Sequence, residues 1–564
     1  MGSEGEKSDC EFDAGEGVLF EEGEDDDFSS SEGEGEETSF QNLYRGFSPS
    51  LSSPSSLSLP LLSHPPSPAE FFTKYIATRT PCIFSFLPPE VDASSFLSLE
   101  RLRVLAGDEE VEVEKRSGGG EREKVEGKQK RKEEEEKEDG GDFGLAAGPK
   151  IRMKFAEILG SFERKETQYY LSTQSIAADP FGFPSSLYGP PLHSLSSLFP
   201  LYLPLFEGLV LNNVNVWMGS YPPSPSPSSS PSLLPSPSFS RPYGTGSGLH
   251  HDFHDNLYIL LRGQKTFQLL PPSLAGTLPM YGNPVRVHPN GLIQYAGSEN
   301  MTRSDGVPMA ALDRDHIESQ IEIANERMEK VMEKIAAFEK KRKGKKGRKK
   351  KSDEEEMEEK MRERELERER EDAIEGVEVA EEVMEDYLEY ELLRMEEEEG
   401  EEDEEEVKVE EDEKKEEKNE AHSPEKKRRK VSSASSPTSS SSASAPSPSH
   451  DPNRGPDHFC RLSVSELPSH FSSLSSPLPP LITCEIKSGQ MLYLPASWFH
   501  SVFSANDPEF PDECHIALNY WFYPPDGTKV ELPYRDSLLS EMFQKKYGNL
   551  NGKREKGNEK KRKR

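Results

Sequence analysis

The sequence predicts a mainly β fold with flanking helices, in which a closed barrel is interrupted by long charged insertions. A dense apolar run, 257–261, is followed by an alternating run, 265–269, with Gly263 between them, which predicts two strands joined as a hairpin. His250 and His500 stand 250 positions apart, and only a closed barrel would bring them to one site. Because 32% of the 564 residues are hydrophobic and 31% are charged, the apolar core must be concentrated in part of the chain.

The candidate metal ligands are His250, Asp252 and His500. Residues two apart on a strand face the same side, so His250 and Asp252 can point at one metal ion while His251 points away. Two imidazoles and one carboxylate are the ligands that non-haem Fe(II) oxygenases place on one face of the metal, which leaves positions for a co-substrate and O₂. The spacing therefore indicates an iron site.

Further polar residues are expected near these ligands. If the strand is unbroken, His254, Asn256 and Tyr258 share the face of His250. Lys265 stands just beyond the expected turn, and its positively charged side chain could lie in the same cavity. A lone histidine in a strand is usually packed in the core or solvated, so the combined pattern, rather than one residue, carries this interpretation.

Several segments of the chain, in the same order, resemble the Jumonji-C branch of Fe(II)/2-oxoglutarate oxygenases. The resemblance is strongest to the small lysyl hydroxylases of that branch, which act on translation-associated GTPases. It implies a double-stranded β-helix core of the cupin, or jelly-roll, type. Besides the region of His250 to Lys265, the matching segments are Glu70–Phe72, Thr80–Phe84, Gln168–Leu171, Asn215–Gly219, Gly489–His500 and Ile516–Phe522.

The resemblance also implies a cofactor site. Fe(II) would be held by the three candidate ligands, and 2-oxoglutarate would bind the iron together with O₂. Lys265 would neutralise the C5 carboxylate of 2-oxoglutarate, with help from Tyr170 and Ser247, while Asn256 and Asn519 would lie near its iron-bound carboxylate.

Each of these cofactor residues also has an ordinary structural interpretation. Lys265 could be a solvated turn lysine, the two asparagines could be strand caps, and Tyr170 could be a core residue. Tyr169 is adjacent and leaves the tyrosine register open. The chain also departs from its relatives, since Ser247 stands where they commonly have Thr and Ser501 follows the distal His where many have a second His.

The reaction implied by the resemblance is hydroxylation of a protein side chain, with lysine as the first target, coupled to conversion of 2-oxoglutarate and O₂ to succinate and CO₂. The first alternative is N-methyl-lysine demethylation, which is the same hydroxylation on an N-methyl carbon. An alternative from another class is a non-catalytic cupin-fold interaction protein whose charged insertion recruits partners.

Composition divides the chain into five parts. We expect the third part, the insertion at 301–456 between the two halves of the barrel domain, to be too polar to contribute to the core, so that its removal would leave the barrel folded. The parts are a disordered, acidic and Ser/Pro-rich N-terminus (1–67), the first half of the barrel domain (68–300) with low-complexity insertions near 108–141 and 222–242, a charged, partly helical and largely disordered insertion (301–456), the second half of the barrel domain (457–545) and a basic tail (546–564).

The charge pattern bears on partners and location. The formal net charge of −35 argues against uniform nucleic-acid binding, although local basic clusters leave direct binding open. Residues 424–431 resemble a single-cluster nuclear import signal, which implies an import receptor as partner, whereas charge-balanced disorder is the alternative. The N-terminus lacks the apolar segment of a signal peptide and the apolar runs are too short to span a bilayer, so we expect a protein of the nucleus, the cytoplasm or both, not secreted and not in a membrane. The oligomeric state stays open, a dimer included.

The import signal can be tested by replacing residues 426–430, Lys-Lys-Arg-Arg-Lys, with alanine. If the cluster binds an import receptor, a fluorescent fusion of the full chain shifts towards the cytoplasm. The same replacement of the cluster at 340–343 is the matched control. An unchanged distribution of the first variant would reject this role for 426–430.

Overall fold

In the computed structural model the described residues form three β-sheets, two of which enclose a cavity, with helices around them, as the mainly β class requires. The structure describes residues 40–50, 57–116, 150–178, 183–223, 239–297, 301–345, 353–420 and 455–548, all within a unit that begins at Phe40. The import cluster and most of the low-complexity insertions lie outside these residues. Within the described ranges, no helix combines the length and hydrophobicity needed to cross a membrane.

The strands are short and almost all lie before or after the long insertion. In chain order they are β1 (Gln41–Asn42), β2 (Leu61–Leu62), β3 (Cys82–Phe84), β4 (Glu110–Lys115), β5 (Lys150–Lys154), β6 (Tyr169–Leu171), β7 (Leu211–Gly219), β8 (Thr245–Gly246), β9 (Asp255–Arg262), β10 (Gln264–Leu270), β11 (Pro284–Val287), β12 (Ile293–Tyr295), β13 (Ile482–Lys487), β14 (Gln490–Leu494), β15 (Phe499–Ala505) and β16 (His515–Phe522).

The helices are short, apart from two in the insertion. They are α1 (Pro68–Phe71), which continues as a π-helical turn to Ile76, α2 (Ala93–Phe96), α3 (Leu99–Ala106), α4 (Phe155–Glu163), α5 (Leu192–Leu195), α6 (Arg314–Lys345), α7 (Asp353–Glu420), α8 (Leu467–Ser473) and α9 (Leu538–Tyr547).

The chain alternates between the two sheets that enclose the cavity. The larger sheet has the order β2-β3-β14-β9-β16-β7-β6-β4-β5, and the smaller has the order β13-β10-β15-β8. Four strands from each, β14-β9-β16-β7 and β13-β10-β15-β8, form the core of a double-stranded β-helix. Each sheet therefore combines strands from both sides of the insertion, which is how residues far apart in sequence become neighbours.

The expected hairpin is wrong. β9 pairs with β14 and β16, whereas β10 pairs with β13 and β15, so the two strands belong to different sheets. Gly263 makes the crossing with a φ of +110°, and a Cβ there would lie 2.5 Å from the Cβ of His515. Both edges of each strand are already occupied, so β9 and β10 cannot pair with each other.

A buried ion pair fixes the start of β9. Asp255 and Arg79 are almost fully buried, and the two side chains form a bidentate contact with Nη1 3.0 Å from Oδ2. Asp255 also accepts hydrogen bonds from the Tyr493 hydroxyl at 2.6 Å and from the Ala496 backbone N–H at 2.9 Å. The carboxylate thus joins the N-terminal segment, β9 and the turn after β14.

The ordered fold begins before residue 68, contrary to the expected boundary of the disordered N-terminus. β1 pairs with β11 and β2 pairs with β3, both in parallel. Phe47 stacks on Trp498 with ring centroids 6.2 Å apart. The structure also contains β4 and β5 on either side of 117–149, so the first insertion begins later than 108.

The insertion contains a helical hairpin. Lys334 lies 2.6 Å from Glu369, and the side chains of Arg342 and Glu363 are 2.5 Å apart, which places α6 and α7 antiparallel. α7 contacts the barrel through Arg286 and Asp386, whose side chains lie 2.5 Å apart. Acidic residues of α7 thus meet basic residues of the barrel.

The expectation that 301–456 adds nothing to the core is wrong for its first residues. Met301, Val307 and Met309 are buried, and Val307 belongs to the main hydrophobic core. Arg303 is also buried and binds Asp536 near the C-terminal helix at 2.7 Å. The segment 301–456 is polar on average, and this average concealed the few apolar residues that are buried.

Two deletions test this correction. Replacing 314–454 with a Gly/Ser linker should leave a cooperatively folding barrel, whereas replacing 301–454 should not. The larger deletion removes Val307 and Met309, and burial of each such side chain contributes about 1.5–3 kcal/mol. Thermal melting followed by circular dichroism checks the result, and equal Tm values for the two proteins would contradict it.

Candidate metal centre

His250 and His500 face each other across a two-stranded backbone bridge. The His250 N–H donates to the His500 carbonyl at 3.1 Å, and the His500 N–H donates to the His250 carbonyl at 2.7 Å. A pair that exchanges both bonds has its side chains on the same side of the sheet. The bridge therefore presents both imidazoles to the cavity between the sheets.

Asp252 completes the cluster from the crossing between the sheets. Residues 251–254 are not in a strand. His250 and β9 therefore do not form the single unbroken strand that the sequence analysis assumed for His254, Asn256 and Tyr258. The Asp252 carbonyl accepts a hydrogen bond of 2.7 Å from the backbone N–H of Ser497, in the turn that precedes His500. Asp252 Oδ2 lies 3.6 Å from His500 Nε2. One candidate ligand atom from each of the three side chains lies within 4.8 Å of the others.

Both histidines have the tautomer that a metal ligand needs. His250 Nδ1 donates to the Gly248 carbonyl and His500 Nδ1 donates to the Trp498 carbonyl, each at 2.8 Å. Since a carbonyl can only accept, the protons lie on Nδ1 and the Nε2 lone pairs are free to coordinate. Burial and the nearby His500 lower the pKa of His250 to about 3, which keeps this imidazole neutral.

Lys265 lies in the same cavity, which has a volume of about 290 Å³. Its side chain is fully buried, and burial lowers its pKa to about 7. The ammonium donates to the Ser504 hydroxyl at 2.5 Å and to the Tyr170 hydroxyl at 3.3 Å. Among the described residues, no carboxylate forms an ion pair with Lys265, so the cavity holds a buried cation that an anionic ligand could neutralise.

The other residues expected to bind 2-oxoglutarate differ from one another in how they lie relative to the cavity and Lys265. Tyr170 lines the cavity, whereas Tyr169 does not. Ser247 also lines it, but its hydroxyl accepts from the Val502 N–H at 3.1 Å, and the hydroxyl beside Lys265 is that of Ser504.

Asn256 faces the cavity, and Asn519 lies behind it. The Asn519 amide donates to Asn256 Oδ1 at 3.2 Å and accepts from Trp217 Nε1 at 2.9 Å. Asn519 therefore contacts Asn256 and does not itself line the cavity.

The remaining histidines of the motif point elsewhere. His251 is fully buried, and its Nε2 lies 2.7 Å from the Tyr295 hydroxyl. His254 does not line the cavity but stacks on Trp521 with ring centroids 5.9 Å apart. Only His250 of the three is available to the metal centre.

Sequence reasoning missed several cavity residues. Ser504 follows His500 and Val502 at spacings of two on β15, and all three line the cavity, so strand periodicity could have found it. His458 and Phe459 also line the cavity, but they lie in an irregular segment where periodicity gives no signal.

Two comparisons with known proteins bear on this site. A family model described as a cupin-like domain matches residues 68–528. The chain is also similar to the JmjC domain-containing protein 4 of Schizosaccharomyces pombe, with 26% identity over 522 residues that cover 88% of this chain and 90% of the relative.

Single-ligand variants test the metal centre. His250→Ala, Asp252→Ala and His500→Ala should each weaken Fe(II) binding by more than the roughly 10–100-fold that losing a supporting contact causes. His470→Ala, on α8 outside the cavity, is the control, and His251→Ala should lower Tm while retaining iron. Iron content after anaerobic loading is the measurement, and unchanged iron in the three ligand variants would contradict the assignment.

Proposed function

The chain belongs to the cupin-like domain family, and from this premise we propose that it is an Fe(II)- and 2-oxoglutarate-dependent dioxygenase that hydroxylates a protein side chain, lysyl by preference. One observation carries the proposal. The His250, Asp252 and His500 cluster shares its cavity with Lys265, a buried lysine without an ion-pair partner among the described residues. A metal ligand set and an anion-binding group in one cavity match the two ends of 2-oxoglutarate.

The donor set fits iron. Two neutral imidazoles and one carboxylate suit Fe(II), and the Nδ1 contacts to backbone carbonyls hold both rings in the coordinating orientation. When bound, the iron would supply the activation of O₂ and the oxidation of a C–H bond, with 2-oxoglutarate as the electron donor.

The residues around Lys265 fit the carboxylate end of the co-substrate. Ser504 and Tyr170 fix the ammonium by hydrogen bonds, so a bound carboxylate would meet an already oriented donor. Burial raises the pKa of Tyr170, which keeps its hydroxyl protonated and able to donate. Burial also disfavours the charged form of Lys265, and a bound carboxylate would restore it.

The cavity also fits an aliphatic substrate chain near the ligands. Trp217, Trp521 and Phe459 line it with aromatic surface, and Asn256 adds an amide. A lysyl side chain offers four methylene groups to such walls and several C–H bonds to the iron. This is the support for lysine as the target.

Mass spectrometry of lysates tests the reaction. Lysates incubated with the Fe(II)-loaded full chain and 2-oxoglutarate should contain proteins that gain one oxygen on lysine, with succinate formed in proportion. His500→Ala is the matched control. Loss of a methyl group from N-methyl-lysine would indicate demethylation instead, and no oxygen transfer from an iron-loaded enzyme would reject the proposed activity.

Lys265→Ala tests the co-substrate site. Removing one partner of a desolvated charge pair typically costs about 2–5 kcal/mol. At about 1.4 kcal/mol per tenfold, the apparent KM for 2-oxoglutarate should rise roughly thirty-fold or more, with little change in iron content. Lys265→Arg should rescue only in part, because a planar guanidinium does not replace an ammonium.

Lys150 supplies the control for this measurement, because it lines the same cavity but is exposed and donates to the Thr173 carbonyl at 2.8 Å. Lys150→Ala should keep the KM within about two-fold, as surface substitutions usually cost less than about 0.5 kcal/mol. Equal KM values for Lys265→Ala and Lys150→Ala would move the 2-oxoglutarate site away from Lys265.

A further inference from the structure

We infer that His458 is a substrate-binding residue whose imidazole accepts a hydrogen bond from the cationic end of the target lysine. The inference deepens the proposed function and rests on it. His458 lies in the segment that returns from the insertion to the barrel, outside every motif of the sequence.

The backbone of this segment is fixed against the metal ligands. The His251 N–H donates to the His458 carbonyl at 3.1 Å, and the Cys460 N–H donates to the Leu249 carbonyl at 2.8 Å. The Phe459 ring stacks on His250 with centroids 4.7 Å apart. His458 is therefore held next to the metal centre by main-chain contacts to the two residues that flank His250.

The His458 imidazole is a polar group that the fold leaves unused. It lines the cavity, is half-buried, and has no hydrogen-bond partner on either ring nitrogen within the described part of the chain. The ring contacts Phe253 and Phe459, at centroid distances of 5.5 and 4.9 Å. By contrast, His250 and His500 have their outer nitrogens bonded.

The surroundings of His458 select the kind of group that it would bind. Aromatic rings beside it favour an aliphatic chain, and the carboxylate of Asp457, which is not a metal ligand, acts electrostatically on the imidazole. A carboxylate-ended side chain would be repelled by this acid, whereas an ammonium would be attracted. An imidazole nitrogen with a free lone pair can accept a hydrogen bond from that ammonium.

A purely structural role would need only the shape of the ring. Phenylalanine packs against Phe253 and Phe459 as an imidazole does, but it cannot accept a hydrogen bond. His458→Phe therefore separates packing from recognition, and His458→Gln, which keeps an acceptor and a donor, should rescue in part. His193→Phe, at an exposed position on α5, is the matched control.

The assay uses the full chain loaded with Fe(II) and 2-oxoglutarate, and three peptide libraries that differ only in a central lysine, norleucine or glutamate. Wild type and His193→Phe should hydroxylate the lysine library with preference. His458→Phe should lose about 10–100-fold of the lysine rate, the range for a hydrogen bond to a charged group, with little change for norleucine. Its iron content and its Kd for 2-oxoglutarate should stay within about two-fold of wild type.

Equilibrium binding of Nα-acetyl-lysine methylamide, compared with its norleucine analogue, distinguishes failure of this inference from failure of the proposed reaction. Hydroxylation that keeps its lysine preference in His458→Phe would overturn the inference and leave the proposed reaction standing. Loss of iron or 2-oxoglutarate binding in that variant would also overturn it, since the role would then be structural. Lysine binding that depends on His458, without oxygen transfer in wild type, would overturn the proposed reaction but support the binding role.

Discussion

The backbone bridge between His250 and His500 is the contact on which the candidate site depends. It joins the two parts of the barrel that the insertion separates, and it sets both imidazoles on one side of the smaller sheet. Asp252 reaches the same point because the chain crosses to the larger sheet immediately afterwards and its carbonyl is held by the Ser497 N–H. The three side chains converge as a consequence of strand pairing.

Two buried charged residues near this bridge differ in whether the fold supplies an opposite charge. Asp255 is met by Arg79, by the Tyr493 hydroxyl and by a backbone N–H, so its charge is matched within the fold. Lys265 has hydroxyl partners but no anion among the described residues. A matched buried pair holds elements together, whereas an unmatched buried cation weakens the fold unless a ligand completes it. This contrast separates a structural charge from one available for function.

Periodicity and family resemblance predicted the mainly β class, but the pairing of strands could not be predicted. The alternation around Gly263 is the same for a hairpin and for a crossing between sheets, because the difference lies in which distant strands occupy each edge. Residues on regular strands, such as Ser504, could have been found by their spacing from His500. His458 could not, because a segment without regular structure has no period and its position depends on contacts with Leu249 and His251. Average polarity likewise hid the buried Val307.

The position of the insertion has a consequence during synthesis. β9 ends at Arg262 and its two neighbours, β14 and β16, begin only at Gln490 and His515. At roughly 5–20 residues per second, a ribosome takes about 10–40 s to produce the intervening chain. For that time the apolar strand β9 has no partner from the second half of the barrel, and its open edges could pair with other chains. The acidic stretch made in this interval gives the nascent chain a net negative charge, and mutual repulsion between neighbouring nascent chains would limit their aggregation until the barrel closes.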